Sequence, residues 1–217
     1  MQNLWNIEDA LKHLNDPLSA RAYISSLIGQ SEALANGLNA IGSVKAQIRN
    51  PFGETEAQLS VLVNDRLGAA PRSDDCLSLK QDHLLKISAA SSLSLAELAA
   101  QLQLAATAPL CATVPAEALL HAVIPTQFVD QTCGASILAL LRQTDCQSLA
   151  NEIYGSRVLT VPASESRIEQ AQSIAQLLQA NKLIDIEGIL VANLALFTFH
   201  DNAQECYERS LLLAKQA

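Results

Sequence analysis

The stretch Pro115-Ala-Glu-Ala-Leu-Leu-His-Ala-Val-Ile-Pro-Thr-Gln-Phe-Val-Asp-Gln-Thr-Cys133 gathers most of the side chains in this chain that could do chemistry. Glu117 can exchange a proton, and His121 follows at i+4 on the same helical face. Downstream stands Gln131-Thr132-Cys133. Glu, His and Cys are good donors to a zinc ion, whereas the amide of Gln is a weak one. One reading is therefore a metal site built from Glu117, His121, Cys133 and His200. The plainer reading makes Glu117 a helix-terminal carboxylate kept by packing or hydrogen bonding, and His121 a satisfied structural histidine. A nucleophilic Cys133 would need a nearby base and a lowered pKa. Neither is visible in the sequence, which leaves a small buried residue. Arg66, Arg72 and Lys80 could gather an anion, or be solvated surface charges.

These residues need elements to hold them. Pro115 suits the first turn of a helix and Pro125 ends one, which predicts a short helix from Pro115 to Ile124 carrying Glu117 and His121. Phe128–Thr132 then reads as a strand and 134–142 as a helix. On the N-terminal side, Asn6 caps a helix with Glu8 and Asp9 in its first turn. A second helix is predicted from Ser19 to Leu34, and Asn36–Gly42 reads as a turn. The strands Ser43–Arg49 and Gln58–Val63 pair through the turn Asn50-Pro-Phe-Gly53. Residues 64–75 read as a loop. Ser94-Leu-Ala-Glu97 and Ser166-Arg-Ile-Glu169 have capping-box spacing, each opening a helix. Arg157–Val161 is a strand, Gly188–Ala192 and Ala195–Phe199 are paired strands around a tight connection, and Asp201 caps the last helix. Strands and helices intermix without strict βαβ alternation, so the expected fold is a single α/β domain over residues 1–217 with a largely antiparallel sheet.

Composition narrows the classes of function. Apolar residues make up 49% and aromatics 4%, so the core rests on Leu, Ala, Ile and Val. A net charge of -8 opposes binding to a phosphate backbone and argues against a nucleic-acid partner. The acidic N-terminus lacks the pattern of a signal peptide, and no apolar run has the length of a membrane span, which predicts a cytoplasmic protein without a membrane partner. The cysteines at 76, 111, 133, 146 and 206 are scattered and lack a C-x-x-C pair, so reduced thiols are expected.

Several segments in one order resemble the class II aldolase/adducin domains, in particular the aldolase domain of rhamnulose-phosphate-aldolase/dehydrogenase-type proteins. They are Asn3-Leu-Trp5, Asn50-Pro-Phe-Gly-Glu54, Ala116–Ala122, Ile153-Tyr-Gly-Ser-Arg-Val158 and Leu196-Phe-Thr-Phe-His-Asp-Asn-Ala-Gln-Glu-Cys-Tyr-Glu-Arg209. No G-x-G-x-x-G of a dehydrogenase is present. The resemblance implies a three-layer α/β/α sandwich, assembly into homo-oligomers such as tetramers, and aldehyde-lyase chemistry in which histidines hold a divalent cation, usually zinc, while a Glu moves the proton.

Against that pattern, Glu117 matches the acid/base position, but the ligand positions align with Gln131, Cys133 and Leu194-Ala195. The phosphate-binding loops align with Leu38–Ser43, where Leu38 and Ile41 are expected to obstruct close backbone approach, and with Val63-Asn-Asp-Arg66, where Asp65 repels an anion. The expectation is a catalytically degenerate aldolase-like protein without metal or other cofactor, serving a structural, interaction or small-ligand-binding role. The alternative is a lyase or isomerase acting on a small sugar-phosphate or carbonyl compound through Glu117.

Overall fold

The computed structural model describes residues 2–35, 40–50, 52–64, 72–108 and 113–217. Strands β1 (Ala40–Arg49), β2 (Thr55–Asn64), β3 (Leu77–Lys80), β4 (Phe128–Thr132), β5 (Val158–Val161), β6 (Gly188–Val191) and β7 (Ala195–His200) form one sheet. Their order across it is β3-β2-β1-β4-β7-β6-β5. Each neighbouring pair is antiparallel except β5 and β6. Between them run helices α1 (Ile7–Ala10), α2 (Pro17–Gly29), α3 (Glu32–Ala35), α4 (Gln81–Ser88), α5 (Leu95–Leu104), α6 (Ala118–Val123), α7 (Ala135–Leu141), α8 (Cys146–Tyr154), α9 (Arg167–Ala180) and α10 (Ala203–Gln216).

Successive side chains of a strand point to opposite faces, and the register turns that alternation into two cores. On one face Ile41 lies across from Gln131, which lies across from Phe197, and Ser43 lies across from Val129, which lies across from Phe199. This face packs under α4, α5, α6 and α9 through Leu84, Leu102, Leu119, Leu120 and Ile174. On the other face Gly42, Asp130 and Thr198 are neighbours. There α2, α3, α7, α8 and α10 cover Val44, Phe128, Leu190 and Leu196 with Ile24, Leu34, Ile137, Tyr154 and Tyr207. The result is the three-layer α/β/α sandwich with a mostly antiparallel sheet.

Local chemistry explains where the elements begin and end. Asn6 caps α1 by accepting from the amides of Glu8 and Asp9, and Ser94 with Glu97 closes a reciprocal capping box on α5. At Ser166 only half of the box forms, because Glu169 accepts from Ser164 instead. The expected Ser19–Leu34 helix is two helices broken at Gln30-Ser31, where Gly29 ends α2. Strand β1 starts at Ala40 rather than after Gly42, since Ile41 is needed in the core. The remainder of that expected turn, Asn36–Asn39, lies outside the described residues, as does Pro51. Asn202, not Asp201, caps α10; Asp201 accepts from the Gln127 amide instead. Of the expected loop 64–75, Asn64 closes β2 and Ser73–Asp75 forms a 3-10 turn. Elements β3, α4 and α8 have no counterpart in the sequence reading.

Candidate functional site

The β4 strand ends at Thr132, and its antiparallel pairing with β7 sets Gln131 against Phe197 and Thr132 against Leu196. Continuing that register brings Cys133 to the start of β7, where the turn through Asn193, at φ 60°, leads from β6 into Leu194 and Ala195. The fold thus gathers Gln131, Cys133 and Leu194-Ala195 at one end of the ladder. What it gathers there is poor in donors. Leu194 packs its apolar side chain against the core, and Cys133 is half-buried between the two cores. Burial pushes the Cys133 thiol up, away from the thiolate that a nucleophile or ligand needs.

Helix α6 brings in the other two candidates. It begins at Ala118, later than expected, because the amides of Ala118 and Leu119 bond back to Pro115 and Ala116 in a tight turn. Glu117 occupies the cap position without capping; its Oε1 accepts from Arg167 Nε at 3.1 Å, with both side chains partly exposed. Arg167 is held from its other side, Nη1 donating to Gln170 at 3.0 Å. One turn on, His121 turns down onto the sheet and is fully buried. Its Nδ1 lies 2.8 Å from Ser43 Oγ, and its ring meets Phe197 edge-on at 5.5 Å. Burial first, then the nearby Lys45 charge, pushes the His121 pKa down to about 3, so the ring is neutral at pH 7. Glu117 and His121 share a helix but engage different partners, and they do not act as an i,i+4 pair.

The four-residue metal site from Glu117, His121, Cys133 and His200 is not assembled. His200 ends β7 opposite Phe128, at the far end of the β4–β7 ladder from Cys133, and its Nδ1 accepts from the Asn202 amide. Among the described residues no three His, Cys, Asp or Glu side chains are grouped as a metal site. A divalent cation of the kind the resemblance implies does not fit the donors present: an amide, a protonated thiol and an alkyl side chain.

The face behind β4 carries a charge pair that sequence reasoning missed. Arg21 and Asp130, both without solvent exposure, form an ion pair at 2.6 Å. Asp130 also accepts from Cys206 Sγ, and Arg21 Nε donates to Ser25. The guanidinium lies flat on Gly42, where a Cβ would fall 2.5 Å from Arg21 Cζ. Gly42 therefore serves an internal ion pair. Ile41, expected to obstruct a phosphate loop, points into the core instead. Leu38, Asp65 and Arg66 lie outside the described residues, and Arg72 and Lys80 are exposed. Single charges within apolar runs, Ala20-Arg21-Ala22 and Phe128-Val-Asp130, were the available signal for the buried pair, since an isolated buried charge demands a partner. Arg167 and Lys45 were missed as well. Lys45 donates to the Thr126 carbonyl at 3.0 Å, and burial pushes its pKa down to about 7.

The fold is that of the class II aldolase domains, as the similarity to solved structures shows. The chain superposes over its whole length on the N-terminal class II aldolase domain of a conserved protein from Thermoplasma acidophilum, with a TM-score of 0.86, 22% identity and 97% of that chain covered. A sugar-phosphate aldolase from Thermotoga maritima matches 94% of the chain, with 93% of its own length covered, at a TM-score of 0.60 and 11% identity. YgbL from Escherichia coli, described as a putative aldolase/epimerase/decarboxylase, matches 97% of the chain and is covered over 88%, at a TM-score of 0.59 and 16% identity. In sequence, the chain is 21% identical over its full 217 residues to the uncharacterized oxidoreductase YuxG of Bacillus subtilis, and it spans 31% of that protein's length. No protein-family model matches. No helix of the described residues is long and apolar enough to cross a membrane.

Proposed function

We propose that this domain is a catalytically degenerate form of the class II aldolase fold, acting in the cytoplasm as a homo-oligomeric subunit with a structural, interaction or small-ligand-binding role. The observation that supports it most is the chemistry of the side chains at the β4–β7 end: Gln131, Cys133 and Leu194, which the resemblance aligns with the family's cation ligands, offer an amide, a thiol and an alkyl group, and Leu194 packs against the core. Glu117 remains, but its carboxylate is engaged by Arg167 in an ion pair at 3.1 Å. The test is metal analysis of the purified protein together with an aldol-cleavage assay on sugar phosphates. The expected result is sub-stoichiometric zinc, manganese and iron and no cleavage above background. Stoichiometric metal with turnover overturns the proposal.

A second reading keeps Glu117 as the proton-transfer group of a lyase or isomerase acting on a small carbonyl compound. It is supported by the partial exposure of the Glu117 side chain, which leaves it in reach of a ligand. On this reading Glu117→Gln abolishes turnover while the thermal transition stays in place. Unchanged turnover in that variant removes Glu117 from the chemistry.

A further inference from the structure

We infer that Ser43, His121 and Gln131 form one directed hydrogen-bond relay, in which Ser43 Oγ–H donates to His121 Nδ1 and His121 Nε2–H donates to the Gln131 amide oxygen. The relay joins β1, α6 and β4 on the face of the sheet beneath Glu117. It assigns Gln131 a positive role: this residue accepts a proton-bearing ring nitrogen that has no other partner. The inference rests on the reading that position 131 holds no cation.

The geometry leaves little freedom. Ser43 and His121 have no solvent exposure, and Gln131 is 7% exposed. The 2.8 Å contact fixes Nδ1 against the Ser43 hydroxyl. A neutral imidazole carries one proton, so one nitrogen donates and the other accepts. His121 Nε2 and Gln131 Oε1 are both buried without a hydrogen-bond partner in the structure, and they lie on the same face of the sheet, where the His121 ring meets Phe197, the residue opposite Gln131 in the β4–β7 register. With the proton on Nδ1, the Nε2 lone pair would face an amide oxygen that also only accepts. With the proton on Nε2, donor meets acceptor, and the hydroxyl of Ser43 supplies the hydrogen for Nδ1. The side-chain torsion of Gln that aligns its amide is broad and soft, so alignment needs only a small rotation. Burial also rules out Ser43 as a nucleophile, because no substrate reaches it.

The relay and a cation at position 131 exclude one another. A histidine that ligates a metal through one nitrogen keeps a proton on the other. It would present N–H to the N–H of His121, and a buried donor would lose its partner at a cost. Gln131 and His121 thus depend on each other.

Long-range proton–nitrogen correlation spectra of histidine-labelled protein at pH 7 test this, with the His121 signal assigned by its disappearance in a His121→Gln variant. The expected result is a His121 ring protonated at Nε2 in the unsubstituted protein. In Gln131→Met the Nε2 proton is expected to exchange with water about tenfold faster, as for the loss of one buried hydrogen bond. A ring protonated at Nδ1 in the unsubstituted protein overturns the inference, whether or not the variant folds. So does an Nε2 proton whose exchange does not respond to Gln131→Met. Metal content and turnover are measured separately, so a ring protonated at Nδ1 in metal-free, inactive protein sinks the relay alone, whereas stoichiometric metal with turnover sinks the proposed function.

Discussion

His121 shows how burial, rather than residue type, decides what a titratable side chain can do. On the sequence it stands beside Glu117 as a candidate ligand, but in the fold it is sealed under α6 and neutral. Its folded pKa, about 3, lies below the ordinary value of 6.5. A group depressed on folding contributes stability that is complete above its unfolded pKa and is lost as pH falls toward its folded one. We therefore expect His121 to weaken the fold between pH 6.5 and pH 3, by up to about 1.4 kcal/mol per pH unit. Urea titrations of the unsubstituted protein and of His121→Gln at pH 7 and pH 4.5 check this. The variant should lose less stability over that interval, and equal losses would contradict the assignment. The charge on Lys45, close enough to lower the His121 pKa, acts in the same direction.

At the scale of elements, the site depends on close packing at a few positions that side-chain chemistry alone does not reveal. Gly134 begins α7, and a Cβ added there would fall 1.5 Å from the Ala33 carbonyl oxygen in α3. Nothing flexible can yield, because the obstructing atom is backbone. Gly134→Ala is expected to separate α3 from α7 and to cost about 3 kcal/mol or more, at the upper end for overpacking. Its thermal transition should fall well below that of an exposed control such as Ala163→Gly; an unshifted transition would show that the two helices do not meet this closely. The same principle explains which elements were legible. The strands Phe128–Thr132 and Ala195–Phe199 and the capped helix after Ser94 are marked by local pattern. Leu77–Lys80 is a strand because β2 offers it an edge, and the backbone of Ala105 and Thr107 pairs with its other side. That partnership is invisible in a four-residue stretch of sequence.

At the scale of the whole molecule, the expected homo-oligomer is open to sedimentation equilibrium. The proposal predicts a mass that is a multiple of the 23.2 kDa chain, and a monomer at micromolar concentration would contradict it. Exposed apolar side chains such as Ile7, Leu11, Phe52 and Leu95 are scattered over several elements. The sequence by itself determined the class of fold, because alternation, caps and turn residues act within a few positions of one another. The resemblance read from it aligned Gln131, Cys133 and Leu194-Ala195 with the family's ligand positions, an alignment on which the proposed function rests. Only the tertiary structure decided what those and neighbouring side chains do instead. It set Arg167 on Glu117, Ser43 against His121, and Arg21 on Asp130 over Gly42. Each partnership joins residues far apart in the chain. For the two buried ones, Ser43–His121 and Arg21–Asp130, the energy comes from excluding water around a specific pairing, and that exclusion exists only once both layers of helices close on the sheet.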